Sequence, residues 1–306
     1  MEIRNHLISD LLKWIEFLNS SFDIRHSTFC QPLESLNIIM TDSQKKFAAL
    51  ILAADRGIDD PVAKAAGVPC KSLTPIGGIP MVFRVVNALD ASGQVDAINL
   101  CGPPESIVNQ TDDLANLIES GKVNWFKNQA TPSTSAYHVL QSLPDEVPVI
   151  LTTADHALLS ARIVDHFCSH AKSTGCDVVV GIARHEEVAK AYPQTRRTAI
   201  RLADGAYCGC NLFAFLTPRA RRAADFWRRI ESQRKKPLRV IRVLGWMAVL
   251  RYLMGRLSLE EALNRISRRL GFKAGAVIMP FAEAAVDVDS VSDLELVEKI
   301  IADKQA

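Results

Sequence analysis

The sequence predicts an α/β fold, a mostly parallel central sheet with helices on both faces, and three observations carry that expectation. Short apolar runs of strand length alternate with helical segments from Phe47 to Ala183. The runs are apolar throughout rather than alternating with polar residues, as strands covered on both faces are. Three of the segments that follow such runs hold polar or charged residues where an open parallel sheet binds ligands, beyond the carboxyl ends of its strands.

The elements follow in order. Residues 1–45 read as an N-terminal helical extension: Leu7, Ile8, Leu11, Leu12, Ile15 and Leu18 recur at helical spacing, which predicts an amphipathic helix over 5–19. Residues 46–306 read as the main domain, and from Met40 onward the chain would suffice for a complete fold. AALILAA, beginning at Ala48, is the first buried strand. Pro80 starts a helix over 81–89, VDAINLCG (95–102) is the next strand, and 105–121 is helix. A helix over 134–143 precedes the strand VPVILTTAD (147–155). Helix 160–175 and strand 176–183 complete the alternation. The stretch 197–216 then reads as two strands around Ala203-Asp204-Gly205, with Asp-Gly as the turn signal. A basic helical insert occupies about 218–273. The chain closes with a strand, an acidic turn at Asp287–Asp289, which are expected to alternate on one strand and face one side, and a helix from near Ser292.

Charge narrows the function. The net charge of +2 gives no general attraction to nucleic acid, but between Arg219 and Lys273 there are sixteen Lys/Arg against four Asp/Glu, a field that attracts phosphates on a small substrate, a lipid surface or RNA. Seven cysteines without a C-x-x-C pair read as reduced thiols in a cytoplasmic protein, and no His/Cys group has the spacing of a zinc site. The N-terminus lacks a signal-peptide plan, because Asp10, Lys13 and Glu16 interrupt its apolar positions, and no apolar run reaches transmembrane length.

The candidate chemistry lies at the strand ends. Gly67 stands four positions before Lys71 with no earlier glycine at the required spacing, so the G-x-x-x-x-G-K-[ST] phosphate loop is absent, as is G-x-G-x-x-G. What remains after the first strand is a loop of backbone donors with a point charge at Lys71, which suits a triphosphate. Asp155 ends the strand VILTTAD, and Asp289 stands at the turn into the last helix. Mg²⁺ is typically held by one or two carboxylates together with substrate phosphates and waters. Asp293 fits the N-terminal charge of the closing helix, a structural role.

The stretch LAADRG…DPVA…GVPCKSLTPIGGIPMVFRVVNAL resembles the opening of the MobA-like nucleotidyltransferases, whose fold is glycosyltransferase-A-like. TSAYHVLQSL, VPVILTTADHALLS, GCNLFAF and VDVDSVSDLELVEKI follow in that family's order; the likeness is close over 47–183 and looser over 197–216 and 277–301. The resemblance implies transfer of a nucleoside monophosphate from an NTP to a phosphorylated sugar, polyol, cofactor or lipid-precursor acceptor, with release of pyrophosphate and with Mg²⁺ as cofactor. It implies that Ala53, Ala54, Asp55, Arg56 and Gly57 face the base and phosphates, that Lys71 holds the phosphates, that Ser135 touches the base, and that Asp155 and Asp289 hold the metal. The opening departs from the family's L-A-A-G-x-G-x-R: Asp55 replaces the first glycine, Asp59 falls where an arginine is common, and Cys70 replaces a proline.

For the acceptor, the candidates are Arg196, Arg197 and Arg201, with His156 beside the metal carboxylate. The insert, with Trp246, Met247, Leu250, Leu253 and Met254 among arginines, admits two readings: a packing subdomain, or an interfacial helix on an anionic membrane. The expected partners are therefore the NTP, the phosphorylated acceptor, a peripheral anionic membrane contact and a homodimer contact, with no nucleic acid. The expected location is the cytoplasm, with any membrane contact on its inner face. A metal-dependent glycosyltransferase and a catalytically inactive nucleotide-binding or scaffold protein are the alternatives.

Overall fold

The computed structural model describes residues 45–55, 59–195, 197–231 and 245–305. The expected helix 5–19, together with Arg56, Gly57 and Arg196, lies outside the described residues.

Strand β1 (Phe47–Leu52) is an interior strand of the sheet. Its odd-numbered residues Phe47, Ala49 and Ile51 enter one core and Ala48 and Leu50 the other, which is why the run is apolar throughout. The short helix α1 (Pro61–Ala66) starts at Asp60, whose carboxylate accepts from the backbone N–H groups of Val62 and Ala63, and it stops at Gly67. A single turn of 3₁₀ helix at Lys71–Leu73 and the two-residue pairing of β2 (Pro75–Ile76) with β3 (Ile79–Pro80) lead into α2 (Met81–Asp90). Then come β4 (Val95–Cys101), α3 (Glu105–Val108), α4 (Asp112–Glu119), β5 (Asn124–Phe126), α5 (Pro132–Ser142) and β6 (Val149–Thr153). Helix α6 (Ala161–Ser173), β7 (Val178–Arg184), α7 (His185–Ala191), β8 (Ile200–Leu202) and β9 (Gly205–Phe215) follow. The insert supplies α8 (Arg221–Glu231), α9 (Trp246–Leu253) and α10 (Leu259–Leu270), and β10 (Ala274–Met279) and α11 (Val291–Gln305) close the chain.

The sheet runs β10-β7-β9-β6-β1-β4-β5, with β8 added to β9. β1 pairs in parallel with both β4 and β6, β4 with β5, and β7 with β10; β9 runs antiparallel to β6, β7 and β8. The chain goes from β1 to β4 and β5 on one side, then returns to place β6 on the other. The carboxyl end of β1 is therefore a topological switch point, the crevice where open sheets receive ligands. Helices α2 and α6 cover one face through Val82, Val86, Ile163 and Phe167, and α5 and α8 the other through Val139, Leu140 and Ala224.

Two expectations change. The helix expected over 105–121 is broken into α3 and α4, with Thr111 as the residue before the second helix. Asp287 and Asp289 do not alternate on one strand: 286–290 has no ladder, and Val288 N–H donates one bond to the Asp155 carbonyl at 3.1 Å. Freed from a strand's two-residue period, the two carboxylates reach different partners.

Candidate active site

Three strand ends converge at the switch point. The backbone N–H of Ala53 bonds the Cys101 carbonyl and that of Ala154 the Leu52 carbonyl, both at 2.9 Å, which ties the loops after β1 and β6 to their neighbours. Gly102, at φ +80°, backs directly onto this first loop. A Cβ there would lie 3.0 Å from both the Cβ and N of Ala54, so only glycine fits both the backbone and the space.

Lys71 reaches into this crevice from its 3₁₀ turn. Its Nζ donates to Asp155 Oδ2 at 2.7 Å and to Asp289 Oδ1 at 2.8 Å. Residues 84 and 218 positions away in sequence thus meet on one ammonium group. Burial opposes the charge on Lys71, but the two carboxylates outweigh it and hold its pKa above the ordinary lysine value. Asp155 is fixed from behind, with Thr153 Oγ1 donating to its Oδ1 at 2.5 Å.

Asp55, where a glycine-rich opening would have no side chain, has its own task. Its carboxylate accepts from the backbone N–H of Lys71 at 2.9 and 3.2 Å, clamping the first loop to the turn that carries the lysine. Burial raises its pKa against the lowering effect of that hydrogen bond.

The remaining expected residues fall around this centre in unequal ways. Ala53 is buried and Ala54 half-buried behind the crevice. Ser135 is buried, and its Oγ accepts from the Gln129 N–H at 2.8 Å; the hydroxyl holds the loop before α5 in place. His156 does not open onto an acceptor space: it is fully buried, its Nδ1 lies 3.4 Å from Thr152 Oγ1, and burial pushes its pKa down to about 4. The turn after β6, closed by the His156 N–H on the Thr153 carbonyl at 3.2 Å, directs the residue next to Asp155 into the interior. Arg197 is engaged by protein: its guanidinium pairs with the Asp287 carboxylate and carbonyl, and with Asp293 Oδ1 at 3.2 Å. Arg201 stands exposed on β8.

Sequence reasoning missed the clamp that sets Asp289. Asn211, at φ +49° where the pairing of β9 with β7 shifts register, donates from Nδ2 to Asp287 Oδ2 at 2.7 Å. Asp293 Oδ2 accepts from Ser290 N–H at 3.0 Å and from Ser290 Oγ at 2.7 Å, the structural role expected of it. Arg197 bridges both carboxylates, so the turn that presents Asp289 is gripped on either side. The signal was the polar Asn in an otherwise apolar GCNLFAF strand.

Among the described residues there is no cluster of three or more His, Cys, Asp or Glu side chains arranged for a metal. The Asp155–Asp289 pair nonetheless fits one hard cation. Both carboxylates already converge on a single positive nitrogen, and a pair of carboxylates is what Mg²⁺ takes when substrate phosphates and waters complete its shell. No described helix is long and apolar enough to cross a membrane.

Residues 49–270 match the model of the MobA-like NTP transferase domain. A solved structure described as a hypothetical transferase from Thermus thermophilus is 30% identical, covers 81% of this chain and 99% of its own, and superposes with a TM-score of 0.67. The 4-diphosphocytidyl-2C-methyl-D-erythritol synthase of Anaerococcus prevotii shares the fold at 12% identity and a TM-score of 0.50, over 85% of this chain and 98% of its own. A second structure of a 4-diphosphocytidyl-2C-methyl-D-erythritol synthase does so at 12% identity and 0.51, over 84% and 100%. No curated protein matches the sequence.

Proposed function

Because the chain belongs to the MobA-like NTP transferase family, and its reaction is in general that of a nucleotidyltransferase, we propose that it moves a nucleoside monophosphate from an NTP to a phosphorylated small-molecule or lipid-linked acceptor and releases pyrophosphate. The observation that carries this reading is the Lys71 ammonium held between Asp155 and Asp289 at the switch point. One ammonium and two carboxylates beside the carboxyl end of β1 suit a reaction between two polyanions.

In this reading the acceptor phosphate oxygen forms a bond to the α-phosphorus while the bond from that phosphorus to the bridging oxygen of pyrophosphate breaks. A phosphate monoester is already anionic near neutral pH, so no general base is needed. The buried, neutral His156 is consistent with that economy. The chain's work is to position the reactants and neutralise their charge. Lys71 would leave the carboxylates for the α- and β-phosphates as the NTP enters. Asp55, which accepts from the lysine's own backbone N–H, would keep that backbone in register through the movement. Asp155 and Asp289 would hold Mg²⁺, which when bound offsets negative charge on the phosphoryl oxygens. The grip of Arg197 on Asp287 and Asp293 keeps the Asp289 turn rigid. Among the described candidates, Arg201, exposed on β8, is the arginine left free of the Asp287–Asp293 clamp for an acceptor phosphate.

The test is incubation with each NTP, Mg²⁺ and a panel of sugar, polyol and lipid phosphates. Pyrophosphate formation that depends on both NTP and acceptor is the expected result. Transfer of sugar from a nucleotide sugar, with release of a nucleoside diphosphate, would replace the reading by glycosyl transfer. Binding without turnover over the whole panel would replace it by nucleotide sensing.

A further inference from the structure

Helix α9 divides its residues sharply. Ala248 and Tyr252 are buried against Ile182, Ile200, Leu202 and Tyr207 of the sheet and the β8–β9 hairpin. Trp246, Met247, Leu250, Leu253 and Met254 are exposed, Trp246 at 67% and the others at 43–49%. At 100° per residue these five fall within one arc of roughly 120°, a continuous apolar stripe opposite the packed face. A helix that needed burial only against its own domain would have polar residues there.

Its surroundings are cationic. Over 245–273 there are six Lys/Arg against two Glu. Arg269 sits at the start of the helix, where Gly245 leaves room for it: a Cβ on Gly245 would lie 2.9 Å from the guanidinium. Arg251 borders the stripe and donates to Glu261 Oε2 at 2.9 Å and to the Arg256 carbonyl at 2.9 Å; Arg256 itself is exposed at the far end. Charge is also segregated over the whole chain. The stretch from Arg219 to Lys273 holds sixteen of the 36 Lys/Arg and four of the 34 Asp/Glu, leaving twenty against thirty in the remainder. An acidic body thus carries a basic insert whose helix α9 exposes tryptophan, methionine and leucine.

We propose that the exposed face of α9 docks this protein onto an anionic lipid bilayer, with the apolar stripe in the headgroup boundary and the arginines on lipid phosphates. A tryptophan and long aliphatic side chains framed by arginines are the composition of helices that lie in that boundary, and the excess charge matches a negatively charged surface. The packed face of α9 covers Ile200 and Leu202 of β8, so the stripe stands on the outer side of that helix, away from the sheet.

The experiment is sedimentation of the full chain with vesicles of phosphatidylglycerol and phosphatidylcholine, and with vesicles of phosphatidylcholine alone, at low and high salt. Binding to the anionic vesicles at low salt is expected, weaker by about tenfold or more at high salt and on neutral vesicles. The Leu250→Asp/Leu253→Asp and Arg256→Gln/Arg269→Gln variants should each lose roughly tenfold or more, with unchanged far-ultraviolet circular dichroism showing that they fold. Absence of wild-type binding to anionic vesicles at low salt overturns the proposal. So does undiminished binding by a folded Leu250→Asp/Leu253→Asp variant, which would assign the membrane contact to another segment such as residues 1–44. A wild-type dimer in analytical ultracentrifugation that becomes monomeric in that variant, without vesicle binding, would give the face to a second copy of the chain instead.

Discussion

Replacing Lys71 by Met should strengthen, not weaken, the binding of a divalent cation to the nucleotide-free protein. In the wild type the ammonium already occupies the space between Asp155 and Asp289, so an entering cation must first release it. The two carboxylate oxygens are at most 5.5 Å apart, because one touches Nζ at 2.7 Å and the other at 2.8 Å. Two unit charges at that separation interact by about 3 kcal/mol at an effective dielectric of 20. The side chain of Asp289 is 60% exposed, and solvent screening brings the usable part to about 1 kcal/mol. That corresponds to roughly fivefold tighter binding of Mn²⁺ in Lys71→Met, read by electron paramagnetic resonance or calorimetry without nucleotide. Turnover in the same variant should fall, since the lysine no longer meets the phosphates. Nucleotide should raise Mn²⁺ affinity more in the wild type than in the variant, because only the wild type has an ammonium for the phosphates to draw away. Lys64→Ala is the control: Lys64 pairs with Asp59 on the open surface and should change neither quantity. Mn²⁺ affinity that stays the same or drops in Lys71→Met would refute the competition between lysine and metal.

Asp155→Asn and Asp289→Asn should each lower turnover by about 10²-fold or more while the protein stays folded; a variant with unchanged turnover and unchanged metal dependence would place that residue outside the site. Arg197→Met removes the cation between Asp287 and Asp293, both largely buried, and should cost about 2 kcal/mol of stability, short of the full penalty for a completely buried pair. Thermal melts should show the loss, and an unaltered melting temperature would mean that the clamp does not support the turn. His156 adds a pH dependence: its folded pKa of about 4 lies below the unfolded 6.5, so its contribution is complete above pH 6.5 and is lost as pH falls toward 4. At pH 5 the loss is about 2 kcal/mol, and urea titrations at pH 7 and pH 5 should show a smaller difference in His156→Gln than in the wild type.

The fold was legible because each buried strand announces itself. Phe47–Leu52 is apolar at every position since both of its faces are covered, and the helix signal at Pro80 stands beside the helix it starts. The pieces that escaped notice are those whose shape comes from tertiary contact. Asn124–Phe126 becomes a strand only because β4 offers it an edge, and residues of a three-residue strand leave no periodicity to read. Around Asp287 the pattern V-D-V-D suggested a strand from composition. The chain there makes its hydrogen bonds to a side chain and to one carbonyl instead of to a ladder, so the two-residue alternation had no pleat to enforce it.

The site shows the same division between what a single position reveals and what only an assembly does. Asp155, Lys71 and Asp289 could be picked out because each stands at the end of a strand or beside a turn, where a charged side chain cannot be serving a core. What the sequence could not convey is that the three satisfy one another. An isolated lysine implies a missing anion, and here the anions are the carboxylates assigned to the metal. Asp55 carries the point further. By comparison with a glycine-rich opening it looks like a loss, a negative charge beside a triphosphate. In the fold its oxygens receive the N–H of Lys71, so the residue that departs from the pattern fixes the backbone of the one that keeps to it. Arg197 reverses the lesson: as a free arginine near the crevice it suggested an acceptor phosphate, yet its charge is already spent on Asp287 and Asp293. Charge near a strand end therefore marks candidates for chemistry, and in the proposed site the charges offered to substrate are those that the protein leaves partnered only to groups that a ligand can replace.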